Sequence, residues 1–131
     1  MKSRILPIIE KHCALPVEHF RVVEDFHEVQ IEQIQRGIIF VVAVWSGPSL
    51  VGFKRFTKTI KSLETNSLDL VILDIDSLTA HSTNELFGVP SFTTGGWGEA
   101  IWVCRGKIIA RELTHIAPEA LIEQHTNELL G

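Results

Sequence analysis

Two stretches of the chain are apolar almost throughout. Residues 38–44 read Ile-Ile-Phe-Val-Val-Ala-Val, and residues 68–75 are nearly as rich in branched apolar side chains. A strand without alternation between apolar and polar positions is covered on both faces of its sheet. These two segments therefore predict central strands of a sheet that has helices on both sides.

Apolar positions at helical spacing predict helices in most of the remaining segments. In the segment 25–36, Gly37 follows the last apolar position, which is typical of a helix C-terminus. Proline near the start of a helix is tolerated because the first N–H groups have no intrahelical partner. The predicted helices cover residues 3–13, 25–36, 49–63, 79–87 and 118–130.

Shorter strands complete the predicted order α-β-α-β-α-β-α-β-β-α. Residues 20–23 predict one strand, and residues 100–104 and 107–111 predict a hairpin around the Arg105-Gly106 turn. Residues 88–98 contain four glycines and a proline, a composition that predicts a loop.

Composition limits the class of protein. A chain of 131 residues, 45% apolar and 21% charged, is expected to fold as one globular domain. The net charge of −4 gives no reason to expect binding to nucleic acid or to an anionic membrane.

The start of the chain does not resemble a secretory signal, because its apolar run at residues 5–9 is short and holds a proline. The two cysteines, Cys13 and Cys104, have no metal or redox spacing, and sparse cysteine is compatible with a reducing compartment. The six histidines have no metal-ligand spacing either. We therefore expect a cytoplasmic protein without a metal or another cofactor.

The junction between the first apolar strand and the following helix reads Trp45-Ser46-Gly47-Pro48-Ser49. It resembles the active-site segment of the thioredoxin superfamily, which has Trp-Cys-Gly-Pro-Cys there. The downstream strand, hairpin and closing helix also follow in the family's order, so the resemblance covers roughly residues 20–130. It implies an α/β domain over residues 1–131, with a thioredoxin-like central mixed sheet of four to five strands flanked by helices on both faces. Residues 1–14 would be an additional N-terminal helix.

The sequence departs from the family at the positions that carry its chemistry. Ser46 occupies the position of the nucleophilic cysteine and Ser49 that of the resolving cysteine. Phe40 stands where the family has a buried acid, and Gly98 where it has a cis-proline, unless a shifted loop brings Pro90 there. The resemblance therefore implies a redox-inactive member that lacks the two-cysteine motif.

A serine could replace cysteine only with considerable help. A helix dipole contributes at most about 2 kcal/mol, which lowers a hydroxyl pKa by roughly 1.5 units. No histidine or acid lies near Ser46 in sequence to act as a general base. Ser49 is predicted to cap the following helix, and Cys104 to be a half-buried apolar residue. The alternative remains an enzyme of another class, glutathione- or thiol-dependent, that uses Ser46 or Cys104.

Aromatic side chains near the motif predict a binding surface. We expect Trp45, Pro48 and Trp97 to form one apolar patch, of the kind that carries binding hot spots. The other reading is that Trp97 folds inward and fills the space of the missing proline. The predicted binding residues are Trp45, Ser46, Gly47, Pro48, Ser49, Phe92, Trp97 and Gly98.

Charged positions beside the motif have two readings. Lys54, Lys58 and Lys61 form a basic stripe that is either a solvated helix face or a docking site for an acidic partner. Asp74 and Asp76 alternate at a strand end, which predicts one capping and one solvated carboxylate.

Together these patterns predict a non-catalytic protein-binding module that serves as an adaptor, an assembly chaperone or an inhibitor. Its partner would be another protein, and a homodimer is a third alternative.

Overall fold

The two long apolar segments form the central strands of the fold. The computed structural model describes residues 3–78 and 96–131. They form a five-stranded sheet in the order β1-β3-β2-β4-β5, in which β1, β3 and β2 are parallel and β4 and β5 antiparallel. The strands are β1 Arg21–Val23, β2 Arg36–Val42, β3 Asp69–Asp74, β4 Glu99–Cys104 and β5 Lys107–Leu113. The predicted α/β class with a central mixed sheet is confirmed.

Three α-helices cover one face of this sheet. They are α1 Leu6–His12, α2 Gly47–Ile60 and α3 Glu119–Leu130, and all three contribute to one apolar core. The opposite face packs against 3-10 turns among the described residues. The predicted helix 79–87 lies outside the described residues. No helix in the part of the chain that the structure describes is long and apolar enough to cross a membrane.

Aromatic rings fill the core beneath α2. Phe40 is fully buried, and its ring centroid lies 5.1 Å from that of Phe53 and 5.4 Å from that of Phe56. The buried indole of Trp102 donates a hydrogen bond of 3.1 Å to Oγ1 of Thr126 on α3. The face below the motif is therefore closed and apolar.

The predicted helix over residues 25–36 is wrong. The chain instead makes two 3-10 turns, Phe26–Glu28 and Ile31–Gln33, separated by extended residues. β-branched residues such as Val29 and Ile31 have weak helix propensity, and both are buried against the sheet from this irregular path.

Gly37 does not end a helix, because it lies inside β2. A Cβ at this position would be 2.6 Å from the carbonyl oxygen of Asp69 on β3. The glycine therefore permits close approach of two strands. The closing helix also begins slightly later than predicted, with Pro118 as its N-cap residue.

Candidate functional site

The motif, residues 45–49, spans the junction between β2 and the start of α2. The helix begins at Gly47, two residues earlier than predicted, with Pro48 in the first turn, and Ser46 is its N-cap residue. Oγ of Ser46 accepts a long hydrogen bond of 3.5 Å from the N–H of Ser49. The prediction that Ser49 caps the helix is therefore wrong, and Ser46 has that role.

The hydroxyl of Ser49 belongs to the interior of the protein. The residue is fully buried, and its Oγ accepts a hydrogen bond of 2.8 Å from the N–H of Ala43. A buried amide without an acceptor is costly, so this hydroxyl satisfies the backbone just after the last residue of β2. Ser49 thus connects the strand end to the helix start.

Ser46 has no activating group within the part of the chain that the structure describes. Its Oγ makes no hydrogen bond there with a histidine or a carboxylate, and its polar contact is the amide of Ser49. A serine nucleophile needs a base within hydrogen-bond reach. The observed geometry at Ser46 is that of a helix cap.

Trp45 is exposed but held in place. Its side chain is 64% accessible, and its indole N–H donates a hydrogen bond of 3.0 Å to Oδ1 of Asp76. The ring lies against Gly96, where a Cβ would be 2.5 Å from the indole Cη2. Gly96 therefore creates the space in which the ring rests.

Trp97 does not fold inward. It remains 48% accessible, and its ring stacks on that of His115 at a centroid distance of 5.6 Å and an interplanar angle of 11°. The reading in which Trp97 fills the space of a missing proline is wrong. His115, in the connection between β5 and α3, had no signal in the sequence.

Gly98 lies directly beside the motif. Its φ is +82°, and a Cβ there would be 2.8 Å from Cα of Ser49. Gly98 therefore packs against the start of α2. Pro90 and Phe92 lie outside the described residues, and within residues 3–78 and 96–131 no peptide bond is cis.

Two residues that the sequence analysis did not select extend the exposed surface. Val51 on α2 is 57% accessible and Ile116 is 69% accessible. The backbone N of His115 lies 3.0 Å from where a Cβ of Gly52 would be, so the connection that carries Ile116 packs against α2. We call the surface of Trp45, Val51, Trp97 and Ile116 the apolar corner.

A cavity shares Ile116 with the apolar corner. Its volume is about 460 Å³, and Ile116 forms part of its lining. The apolar part of its lining comes from Leu113, Ala117 and Pro118. The ion pair between Arg111 and Glu99, 2.9 Å from Nε to Oε2, forms part of the polar side.

The two aspartates at the end of β3 divide their roles as predicted. Asp74 is buried, accepts a hydrogen bond of 3.1 Å from the N–H of Asp76, and caps the turn Ile75–Ser77, whereas Asp76 is exposed. Arg4 forms ion pairs with both carboxylates. Burial raises the pKa of Asp74, an effect that the Asp76 N–H and the Arg4 guanidinium only partly oppose.

The cysteines lie away from the motif. Cys104 pairs with Arg36 at the opposite end of β2, about 20 Å from the motif end at 3.3 Å per residue. It is half-buried, as predicted. Burial raises the pKa of the Cys13 thiol, which disfavours its reactive thiolate. Cys104 and Ser46 therefore cannot act in one site.

Comparisons with known proteins place the fold. No protein-family model matches the chain, and no curated protein matches it. A chain from a structural study of the thiol-resolving mechanism in yeast mitochondrial 1-Cys peroxiredoxin is similar, with a TM-score of 0.62 and 18% identity. The similarity covers 84% of this chain and 95% of that one. Oxidised mitochondrial thioredoxin 3 from Saccharomyces cerevisiae has a TM-score of 0.61 and 18% identity, over 86% of this chain and 97% of that one.

At this level of identity the likeness concerns the backbone alone. The likeness extends over most of the mixed five-stranded sheet and its helices. The chain has the thioredoxin fold.

Proposed function

We propose that this chain is a non-catalytic thioredoxin-like protein-binding module that uses the apolar corner to hold another protein. The observation that carries the proposal is the exposure of Trp45 and Trp97 beside a motif without sulfur. An adaptor, an assembly chaperone and an inhibitor all fit this description. Since cysteine use is sparse and both cysteines are free, we place this activity in the cytoplasm.

The tryptophans are suited to binding because they are both exposed and ordered. Trp45 is held by Asp76 and Gly96, and Trp97 by its stack on His115. Side chains that are already fixed lose less conformational entropy when a partner binds. Tryptophan is also among the residues most enriched in binding hot spots.

The motif's own chemistry supports binding over redox catalysis. Dithiol exchange requires a thiolate nucleophile and a resolving thiol, which Ser46 and Ser49 do not provide. The Ser49 hydroxyl is buried and engaged with Ala43. Binding of a partner does not require the two cysteine sulfur atoms that the thioredoxin motif has.

The first test is an activity measurement. We expect the purified chain to show no reduction of insulin disulfides and no turnover with glutathione or small thiols. Turnover that is abolished by Ser46→Ala or Cys104→Ala would replace the proposal with the enzymatic alternative.

The second test is binding. Proteins crosslinked to the chain in its own cells are identified, and the candidate is purified and titrated against the chain by calorimetry. Trp45→Ala and Trp97→Ala should each weaken binding at least about tenfold, as expected of hot-spot residues. Ile109→Ala removes a similarly exposed side chain on β5 and should have little effect. Unchanged affinity in both tryptophan variants would rule out the apolar corner as the binding surface.

A further inference from the structure

The exposed side of α2 is basic from its middle to its C-terminal end. Residues 47–63 carry four of the chain's twelve Lys and Arg residues and none of its sixteen Asp and Glu residues. Lys54, Lys58 and Lys61 are exposed. On a chain with a net charge of −4, this segment is a local reversal of sign.

The basic face continues directly from the apolar corner. With 3.6 residues per turn, Lys54 and Lys58 lie within about 60° of Val51 around the helix axis. The rise from Val51 to Lys58 is about 10 Å. The apolar corner and the lysines therefore belong to one surface. Trp45, Trp97 and Ile116 lie beside the N-terminal half of α2, and the lysines lie toward its C-terminal end.

These lysines are not neutralised within the described part of the chain. No ion pair there involves Lys54, Lys58 or Lys61, whereas Arg4, Arg21 and Arg111 all have carboxylate partners. Arg55, on the flank of the same helix, donates to the backbone carbonyls of Thr114 and Ala117 instead. The positive charge of the lysines remains available to a partner.

We propose that the partner presents an acidic segment of protein that places an apolar anchor on the apolar corner and its carboxylates along Lys54, Lys58 and Lys61. This proposal rests on the proposed function and adds the chemistry of the partner to it. Complementary charge steers association and fixes the register of the bound segment.

The geometry sets the spacing within that segment. An extended chain advances about 3.3 Å per residue, so about 10 Å of helix corresponds to roughly three residues. Lys54 lies about 4.5 Å and Lys58 about 10 Å along the helix from Val51, so acidic residues should stand about one and about three residues from the apolar anchor. A further acidic residue reaches Lys61 one or two positions later. A polyanion without an apolar anchor would leave the tryptophans and Ile116 uncovered.

The test begins with peptide selection on the full chain. A library of random peptides of about 12 residues is displayed on phage and selected against the immobilised chain, and the enriched peptides are synthesised for fluorescence polarisation. We expect an aromatic or aliphatic anchor followed at the stated spacing by Asp or Glu. Affinity should fall steeply between about 50 mM and about 500 mM NaCl, because screening weakens exposed charge pairs.

Charge reversal tests the surface itself. The variant Lys54→Glu/Lys58→Glu should bind the selected peptides at least about tenfold more weakly. The matched control Arg105→Glu/Lys107→Glu changes the net charge by the same amount. These residues flank the turn at Gly106, which packs against Glu32 on the face of the sheet opposite α2. The control should remain within about twofold of the unmodified chain.

The outcomes separate this proposal from the proposed function. Enriched peptides without acidic residues, or equal affinity in the two charge variants, would overturn the acidic partner. Loss of binding in Trp45→Ala would still support the apolar corner in that case. A selection that enriches no peptide would count against both proposals. Tighter binding to an oligothymidylate of about 20 nucleotides than to any selected peptide would also overturn the acidic protein partner.

Discussion

Ser46 and Ser49 are the same residue type three positions apart, yet their environments differ. Ser46 is half-exposed and caps α2, whereas Ser49 is fully buried and binds the amide of Ala43. The difference follows from where the helix begins. The sequence predicted a start two residues late and therefore assigned the cap to Ser49, whereas Ser46 has that role.

The role of Ser49 can be tested by removing its hydroxyl. Ser49→Ala leaves the buried N–H of Ala43 without its acceptor, so the free energy of unfolding should fall by about 1–3 kcal/mol. Ser62→Ala, at an exposed serine just beyond α2, should change it by less than about 0.5 kcal/mol. Urea unfolding of the three proteins measures both effects. Equal stability of the two variants would contradict a structural role for the Ser49 hydroxyl.

At the scale of elements, the strands were the most predictable part. Residues 38–44 and 68–75 are apolar on both faces, and both form central strands as predicted, as β2 and β3. The segment 25–36 was predicted wrongly because its apolar residues reach the core from two 3-10 turns and extended backbone, although their spacing in the sequence also suits a helix. The contact of the β5–α3 connection with α2 had no sequence signal, since it joins segments about sixty residues apart.

Arg55 holds this connection against α2. It donates hydrogen bonds of 2.6 Å to the carbonyl of Thr114 and 2.8 Å to that of Ala117. Arg55→Met should lower the free energy of unfolding by about 1.5–3 kcal/mol, the range for hydrogen bonds to charged groups.

Hydrogen exchange gives a local measurement of the same change. Amides of residues 114–117 should exchange faster in Arg55→Met, because the connection loses its attachment to the helix. Lys58→Met, at an exposed position on the same helix, should leave exchange there unchanged. Unaltered protection in Arg55→Met would mean that packing at Gly52 alone fixes the connection.

At the scale of the whole molecule, the N-terminal segment is tied to the motif end of the sheet. The ion pairs of Arg4 with Asp74 and Asp76 connect residues at opposite ends of the described segment 3–78. Asp76 in turn accepts from the indole of Trp45. The fold, and the position of the motif between β2 and α2, were predictable from the sequence pattern and the order of elements. This charge network was not, because nothing local in the sequence connects Arg4 to these carboxylates.

The network gives the stability a defined dependence on pH. Burial raises the pKa of Asp74 in the folded protein, so the folded state holds more protons than the unfolded state just above the ordinary aspartate pKa. Stability contributed by Asp74 should therefore fall as pH rises through this window and become constant above the raised value. Asp74→Asn lacks this titration, so its stability relative to the unmodified chain should increase with pH.

Urea unfolding of both proteins over a series of pH values measures the difference. NMR titration of the Asp74 carboxyl group measures its pKa directly. Arg4→Met removes the charge that lowers this pKa, so the titration should move to higher pH. A difference in stability that does not depend on pH, or that decreases as pH rises, would contradict the assigned shift.

The backbone at Gly98 limits which residues the position beside the motif can carry. Proline requires φ near −65°, but Gly98 has φ of +82° with Ser49 in direct contact. Cysteine could replace Ser46 and Ser49 without a change in the backbone. Proline at position 98 does not fit the present backbone. A proline there would require residues 96–98 to follow another path, so the main chain beside the start of α2 is a constraint that changes at Ser46 and Ser49 would not remove.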